Sequence, residues 1–208
     1  MSMTSRKSIS TDAPQFVDIK DSLPMASGED ATSRGGFLLG TDLATYAWYI
    51  ENVYCQSMKK EDGTLAGFGI VIPDAFVKQG ELWAKRNSAR WNVGLGVIEN
   101  QKICYFEQLA FRPGYGRYAP ELCYRLISQA FTDGHELLLT TTVRRPVANL
   151  AAIPFIQAVG GKQIGQIKEE YPAVGRIDSA IWAIEAAEFF EKVRELSFYR
   201  RMRELRET

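Results

Sequence analysis

The chain has 208 residues, of which 46% are hydrophobic and 24% are charged, a composition typical of a globular domain rather than of a disordered or fibrous chain. Lysine plus arginine and aspartate plus glutamate each total 25, so the molecule has no net charge with which to attract nucleic acid or an anionic membrane. Composition therefore argues against these two classes of partner and predicts a single core.

The cysteines and the lone histidine carry no recognisable site. Cys55, Cys104 and Cys123 stand far apart in apolar surroundings, without metal-binding spacing, and we expect buried reduced thiols. His135 follows a predicted turn and has no sequence neighbour that could complete a catalytic or metal site, so no metal is expected. Reduced thiols, together with the absence of an apolar run long enough for a membrane span or a secretory signal, predict a cytoplasmic protein.

The first third of the chain contains a polar arm and then the start of the domain. Residues 1–34 are rich in serine, threonine, aspartate and glycine and predict a flexible N-terminal arm. One domain is predicted over residues 35–186. Thr41 and Asp42 are competent caps for a first helix over residues 43–52.

A hairpin and an ambiguous segment follow. Residues 53–59 and 64–72 flank a tight turn and predict two antiparallel strands. Residues 74–101 mix aromatic and basic side chains without a clear period, and no element is assigned to them. One group within this segment is open to two interpretations, the wall of an acceptor pocket or simple surface packing: Trp83, Arg86 and Trp91.

The middle of the chain predicts a βαβ unit. A strand over residues 103–111 precedes a helix over residues 119–132, and the continuous apolar run of residues 136–143 is typical of a strand covered on both faces. Such a unit places its two strands in parallel, provided that the crossover takes the usual right hand.

The last third predicts a short helix, two strands and a terminal helix. Asn149 is the expected cap of a helix that ends before Gly160-Gly161, and strands are expected over residues 162–168 and 179–185. Residues 187–208 predict an amphipathic helix that packs on the domain or on a partner subunit. The order of elements is that of an α/β domain with mixed strand pairing.

The turn after the predicted strand 103–111 is the most informative segment. Arg112-Pro113-Gly114-Tyr115-Gly116 joins a buried strand to a helix N-terminus, where backbone N–H groups lack intrahelical partners. Reinforced by the helix dipole, these donors form a receptor for phosphate or pyrophosphate. An ordinary strand-to-helix turn is the alternative interpretation.

Two segments resemble a known family. Leu109-Ala110-Phe111-Arg112-Pro113-Gly114-Tyr115 resembles the strand and turn before the coenzyme A (CoA) pyrophosphate loop of the GNAT superfamily of acyl-CoA N-acyltransferases. Residues 146–155, followed by Gly160-Gly161, are similar to the family's Pro-x-x-Asn-x-x-Ser/Ala-x-x-Phe element. The resemblance covers roughly residues 103–167. It implies acetyl-CoA as cofactor and an α/β (α+β) GNAT fold, with a mixed, mostly antiparallel sheet, a splayed parallel strand pair and flanking helices.

The resemblance also implies which residues hold CoA. Backbone groups of the strand would pair with pantetheine, much as a peptide adds to a sheet edge. Backbone amides of residues 116–121 would hold the pyrophosphate, and two downstream side chains would flank the thiol arm. The implied CoA-binding residues are Leu109, Phe111, Gly116, Arg117, Tyr118, Ala119 and Glu121, with Asn149 and Phe155 at the thiol arm.

Glu107 is the candidate general base. Transfer of an acyl group to an amine requires a group that takes the amine proton, and some members of the family carry a base at this place. Strand alternation predicts that Glu107 shares a face with Leu109 and Phe111. The alternative is a carboxylate paired with a neighbouring arginine. Tyr171, Tyr118 and solvent are all open as the general acid.

Two departures from the family pattern keep alternative functions open. Glu121 places a carboxylate within the phosphate loop, and Ile156 stands where the family often has a tyrosine. The leading prediction is transfer of an acetyl or short acyl group from acetyl-CoA to a primary amine of a small molecule or peptide by direct attack. The alternatives are a non-catalytic acyl-CoA-binding protein and an interaction protein that assembles, for example as a homodimer, through its C-terminal helix.

Overall fold

A computed structural model describes residues 3–23, 31–32, 40–171 and 175–207. The strands are β1 Met3–Lys7, β2 Ala31–Thr32, β3 Tyr54–Lys60, β4 Leu65–Pro73, β5 Arg90–Trp91, β6 Ile103–Phe111, β7 Leu137–Arg145, β8 Ala148–Asn149, β9 Lys162–Tyr171 and β10 Gly175–Glu185. The helices are α1 Ala13–Asp21, α2 Leu43–Asn52, α3 Asp74–Gln79, α4 Glu81–Ala84, α5 Leu95–Glu99, α6 Ala119–Thr132, α7 Ile153–Ala158, α8 Ala186–Lys192 and α9 Ser197–Glu207.

Among the described residues, eight strands form one mixed sheet in the order β1-β3-β4-β6-β7-β10-β9-β5. Every neighbouring pair in this sheet is antiparallel except β6 and β7, which run in parallel. The parallel pair is the one that the βαβ pattern predicts, with α6 as its crossover helix. The predicted mixed, mostly antiparallel sheet is therefore confirmed.

Helices cover both faces of this sheet. One face, called the α6 face below, packs against α6, α7 and α8 through a core that includes Leu122, Leu126, Ile156 and Phe189. The opposite face, called the α2 face, packs against α1 and α2 around β3 and β4. Because the sheet is buried on both faces, its central strands read as nearly continuous apolar runs.

Glycines on β4 let α6 approach the sheet closely. A Cβ at Gly67 would overlap the Phe111 ring, and a Cβ at Gly69 would lie 2.5 Å from a methyl group of Leu126. Both glycines lie opposite β6, in register with Phe111 and Leu109. Their missing side chains leave room for the residues that line the α6 face of β6.

The prediction of a flexible N-terminal arm is wrong for residues 3–23. Strand β1 pairs along its whole length with β3, and α1 buries Phe16 and Ile19 completely. The Phe16 ring stacks on Phe68 with 3.9 Å between ring centroids. The few apolar residues of this polar segment are therefore core residues of the α2 face. The rest of the predicted arm, apart from Ala31–Thr32, lies outside the described residues.

The C-terminal segment forms two helices where the sequence predicts one. Leu196 has an extended conformation and separates α8 and a short 3₁₀ turn from α9. Phe189 of α8 is fully buried, and Phe198 and Tyr199 of α9 lie against Tyr124 of α6. These three aromatic side chains of the segment thus pack on their own domain.

The remaining sequence expectations concern cysteines, membrane spans and residues 74–101. Cys55, Cys104 and Cys123 are free thiols and are buried, as predicted. Within the part of the chain that the structure describes, no helix combines the length and the apolar character needed to cross a bilayer. The segment without a predicted element, residues 74–101, forms short helices and the edge strand β5.

Candidate active site

The parallel strands β6 and β7 separate halfway along their length. They pair only from Ile103 and Leu137 to Phe106 and Thr140, although each strand continues for five further residues. The Thr140 hydroxyl donates a 3.1 Å hydrogen bond to the Phe106 carbonyl, at the last paired position. Beyond this point the two strands border an open cleft, which is the splayed pair that the sequence predicts.

A β-bulge at Glu107 coincides with the start of the cleft. Ile70 of β4 pairs with Gln108 and Val71 pairs with Phe106, so Glu107 is the extra residue on β6. Bulges interrupt the alternation of side chains and re-aim them, and they are common beside active sites. Phe106 and Leu109 both pack into the α6-face core, with two residues rather than one between them.

The bulge makes the predicted orientation of Glu107 wrong. Leu109 and Phe111 pack on the α6 face, but Glu107 lies on the α2 face beside Tyr46 and Tyr49 of α2. Burial, followed by the charge of Glu107, raises the pKa of Tyr49 to about 12. The predicted base therefore faces away from the side on which Leu109 and Phe111 lie.

The environment of Glu107 changes its acidity. Burial, reinforced by the negative charge of Glu169 on β9, raises the pKa of the Glu107 carboxyl to about 7. Glu169 is itself only 13% exposed and lies 3.3 Å from the Lys85 ammonium group. No arginine partner of Glu107 is found among the described residues, so the predicted alternative of an arginine-paired carboxylate has no support here. A carboxyl group with a pKa near neutrality is suited to proton transfer.

A buried polar network holds the strand beside Glu107. The Tyr46 hydroxyl donates to the Gln108 side-chain oxygen at 2.9 Å, and the Gln108 amide nitrogen donates to the Thr41 hydroxyl at 2.8 Å. All three residues are buried. The network ties the bulged residues of β6 to the start of α2, and sequence reasoning missed it because its members are distant along the chain.

Backbone geometry exposes one edge of β6 to the cleft. The Arg112 N–H donates to the Ala66 carbonyl at 2.8 Å, so the N–H group of Arg112 points toward β4. Because N–H groups alternate in direction along a strand, those of Leu109 and Phe111 point away from β4 and toward the cleft. The two residues predicted to bind pantetheine therefore present free backbone groups at the right edge.

The turn after β6 leaves part of the predicted phosphate receptor free. Gly114 has φ +87°, and the Tyr115 N–H donates to the Arg112 carbonyl at 3.1 Å. Within the described residues, the backbone N–H groups of Gly116 and Arg117 have no hydrogen-bond acceptor. They are two donors of the predicted row that the fold leaves open.

Three further positions of the predicted row, residues 118–120, offer no free N–H group. A short 3₁₀ turn, Gly116–Tyr118, engages the N–H of Tyr118 with the Tyr115 carbonyl and that of Ala119 with the Gly116 carbonyl. Pro120 has no N–H. The Glu121 carboxylate is 2.9 Å from the Arg125 guanidinium group one turn along α6, which offsets its negative charge near the turn.

The two residues predicted at the thiol arm follow the end of β7. The Asn149 side-chain oxygen accepts from the Ala151 N–H at 3.1 Å, so Asn149 stabilises a turn. Its predicted role as a helix cap is wrong, since α7 begins only at Ile153. The ring of Phe155 lies 6.1 Å from that of Phe198 in α9, and Ile156 is buried in the α6-face core.

Other candidates from the sequence make contacts within the protein. The neutral His135 ring accepts from the Asp74 N–H at 3.2 Å and donates to the Ala130 carbonyl at 2.9 Å, so both ring nitrogens are satisfied. The aromatic and basic residues of the segment 74–101 contact one another. The Trp91 indole donates to the Arg86 carbonyl, and the Arg86 guanidinium group lies over the Trp83 ring, 5.0 Å from its centre. The described residues include no cluster of metal-ligating side chains.

Comparison with solved structures identifies the fold. The ribosomal-protein-S18-alanine N-acetyltransferase of Escherichia coli is 18% identical over 89% of this chain and 94% of its own, with a TM-score of 0.58. An N-acetyltransferase of Staphylococcus aureus is 14% identical over 89% and 99% of the two chains, with a TM-score of 0.60. A chain of the NatC complex, solved with Gag peptide and CoA, is 14% identical over 89% and 99%, with a TM-score of 0.57.

These similarities define an α/β domain with the GNAT fold, as the sequence resemblance predicted. No family model matches the sequence, and no curated protein sequence matches it. At such low identities, the structural likeness establishes the fold and leaves the chemistry to the residues of the cleft.

Proposed function

We propose that the protein transfers an acetyl or short acyl group from acetyl-CoA to a primary amine. The observation that carries the proposal is the end of β6–β7 pairing at Phe106, which opens a cleft with free amides at its rim and Glu107 at its closed end. The solved structure of the NatC complex with CoA and peptide supports the same choice of donor and acceptor class. The proposal includes an amine as the acceptor and the cytoplasm as the location of the protein.

In the proposed complex, the donor enters from the α6 face. Pantetheine amides would pair with the free backbone groups of Leu109 and Phe111, and the diphosphate would accept from the N–H groups of Gly116 and Arg117. Lys60 adds a cation near this turn, since its ammonium group lies 5.9 Å from the centre of the Tyr115 ring. Extended pantetheine can follow a strand edge in the way that a peptide does.

The acceptor would approach from the α2 face, where Glu107 and Glu169 lie. A protonated amine gains from nearby carboxylates and must lose a proton before it attacks. The neutral amine, after giving that proton to solvent, would attack the thioester carbonyl, and the ionised Glu107 carboxylate would take the second proton that the nitrogen loses as the amide forms. A C–N bond forms, the C–S bond breaks, and the CoA thiolate takes a proton from solvent to leave as the free thiol.

A non-catalytic acyl-CoA-binding protein is the second candidate, because Ile156 occupies the position at which the family often has a tyrosine. An isoleucine side chain has no proton that it could give to the thiolate, and this one is only 6% exposed and packs in the core. Release of free CoA in the presence of amines separates the candidates. Binding without release of CoA over a broad amine panel would support the second.

Binding of acetyl-CoA is the first test of either candidate. At a concentration one hundred times Kd, a ligand of the native state contributes about 2.7 kcal/mol. For a chain of this length, Tm should therefore rise by roughly 5–10 °C, measured by differential scanning fluorimetry. No shift at saturating acetyl-CoA and longer acyl-CoAs would contradict both candidates.

Two substitutions at one position provide the matched control. Arg117→Pro removes a backbone N–H that has no acceptor in the described fold, whereas Arg117→Ala removes only the side chain. A hydrogen bond to a charged group contributes about 1.5–3 kcal/mol, so the proline variant should bind at least ~10-fold more weakly than the alanine variant. Equal affinities of the two variants for acetyl-CoA would show that the Arg117 N–H does not bind the diphosphate.

A further inference from the structure

Glu169 adds a second carboxylate to the acceptor side of the proposed cleft. Ile167, two residues earlier on β9, and Ile177, the β10 partner of Glu169, both pack in a core on the side of the sheet away from α6. Strand alternation therefore aims Glu169 toward the α2 face, where Glu107 lies. Burial raises the pKa of the Glu107 carboxyl and the charge of Glu169 adds to this rise, so the two groups are within electrostatic reach of each other.

A lysine of the same chain places an alkylammonium group at Glu169. The Lys85 ammonium group lies 3.3 Å from the Glu169 carboxylate. Lys85 belongs to the segment between β4 and β6, and β5 of that segment pairs with β9, which brings the lysine to this strand. The side chain of Glu169 is only 13% exposed, whereas that of Lys85 is 48% exposed. The carboxylate is thus held at the sheet by its strand, and the cation reaches it from the solvent side.

The two partners of this ion pair differ in what they lose when the pair breaks. The long side chain of Lys85 can extend into water, and an ion pair with so exposed a cation contributes little to stability. Glu169 would be left as a mostly buried charge without a partner, which is far less favourable. A second cation that takes the place of Lys85 avoids this cost. A cationic ligand can therefore exchange with Lys85 at Glu169.

Aromatic side chains lie on the same side of the sheet. Burial, followed by the charge of Glu107, raises the pKa of Tyr49, which places this tyrosine beside Glu107. Trp48 is 42% exposed and meets the rings of Tyr49 and Phe76 edge-on, with 5.7 and 5.1 Å between ring centroids. Aromatic rings attract cations and also cover hydrocarbon chains. An amine with an alkyl chain finds both kinds of contact here.

We infer that Glu169 selects acceptors with a second cationic group, the chemical class of the aliphatic diamines. The reacting amine would lie at Glu107, and the distal ammonium group would replace that of Lys85 at Glu169. This inference rests on the proposed function, since it requires an amine acceptor on the α2 face. Glu169 would determine specificity, and Lys85 would compete with the substrate for it.

Steady-state release of CoA with putrescine and with butylamine tests the inference, because the two acceptors differ in the distal ammonium group. Hexamethylenediamine and hexylamine give the same comparison over a longer span. After correction for the two equivalent amines of a diamine, the wild type should show a kcat/KM about 10-fold higher for the diamine of at least one pair. Glu169→Gln should reduce this ratio to about 2 or less, because the diamine alone loses an ion pair.

Two further variants separate competition from a structural effect. Lys85→Ala removes the competing ammonium group and should raise the diamine-to-monoamine ratio about threefold. Glu188→Gln is the matched control, because Glu188 of α8 forms a 2.7 Å ion pair with Lys162 and should keep the wild-type ratio when replaced. All ratios are measured at a pH above the rising limb of kcat/KM, so that the ionisation of Glu107 does not enter. Comparing variants also cancels the difference in basicity between the amines.

The outcomes distinguish this inference from the proposed function. Equal kcat/KM of the wild type for diamine and monoamine in both pairs would overturn the inference and leave the proposed function standing, as would a wild-type ratio in Glu169→Gln. A lower ratio in Lys85→Ala would overturn the exchange of Lys85 for the substrate. Failure of the wild type to release CoA with any amine would overturn the inference together with the proposed function.

Discussion

Replacing Glu107 with glutamine should lower kcat by about 10²- to 10⁴-fold, the range that loss of a general base produces. The fold should be retained, because glutamine is isosteric and Glu107 is a bulge residue whose carboxyl group makes no hydrogen bond within the described structure. Steady-state release of CoA with a reactive primary amine measures the effect. A kcat within about threefold of the wild type would exclude Glu107 as the base.

The pH dependence of the same reaction is an independent test of Glu107 as the general base. With a Glu107 pKa of about 7, kcat/KM should rise with pH through neutrality as the carboxyl group ionises. Glu169→Gln removes a negative charge that raises this pKa, so the rising limb should move to lower pH. If the rising limb of kcat/KM stays at the same pH in Glu169→Gln, or is still present in Glu107→Gln, then the titrating group is not Glu107.

Replacing Phe16 with alanine should destabilise the protein by about 3–5 kcal/mol, the cost of removing a fully buried phenylalanine from a packed core. Phe16 is 0% exposed, stacks on Phe68 and meets the Tyr46 ring edge-on at 5.5 Å. Urea unfolding followed by circular dichroism measures the change in free energy of unfolding.

Asp18 provides the matched control for Phe16, because it lies on the same helix and is exposed. Asp18→Ala should change stability by no more than about 0.5 kcal/mol. If Phe16→Ala costs less than about 1 kcal/mol, then α1 does not dock on the sheet as described, and the N-terminal segment behaves as the arm that its composition predicts.

The elements that were predicted well have strong local signals. Helix α2 begins where Asp42 accepts from the Thr45 N–H at 2.8 Å, a cap that the sequence displays directly. Strand β6 and helix α6 have their predicted bounds, because an apolar run, a glycine turn and an early proline mark them in order. The GNAT fold follows from these local signals together with one parallel pair.

The wrong predictions depend on contacts between distant segments. Strand alternation placed Glu107 with Leu109, but the bulge forms only because β4 pairs with β6 in a shifted register, which the sequence of β6 does not display. Likewise, the polar composition of residues 3–23 predicted a flexible arm. Phe16 and Ile19 nevertheless pack α1 on the surface that β3, β4 and α2 provide.

The site residues that sequence reasoning missed have the same origin. Glu169 reaches the α2 face from β9, far along the chain from Glu107, and Gln108 meets Tyr46 across the core. Ordinary exposed or β-strand residues carry no local signal of such a meeting, and only the sheet order brings them together.

A crystal structure of the protein grown with acetyl-CoA tests the central claim most directly. We expect the pantetheine between the separated ends of β6 and β7, with diphosphate oxygens accepting from the N–H groups of Gly116 and Arg117 within about 3.2 Å. Acetyl-CoA bound elsewhere, or a cleft closed by protein side chains at saturating ligand, would contradict the claim.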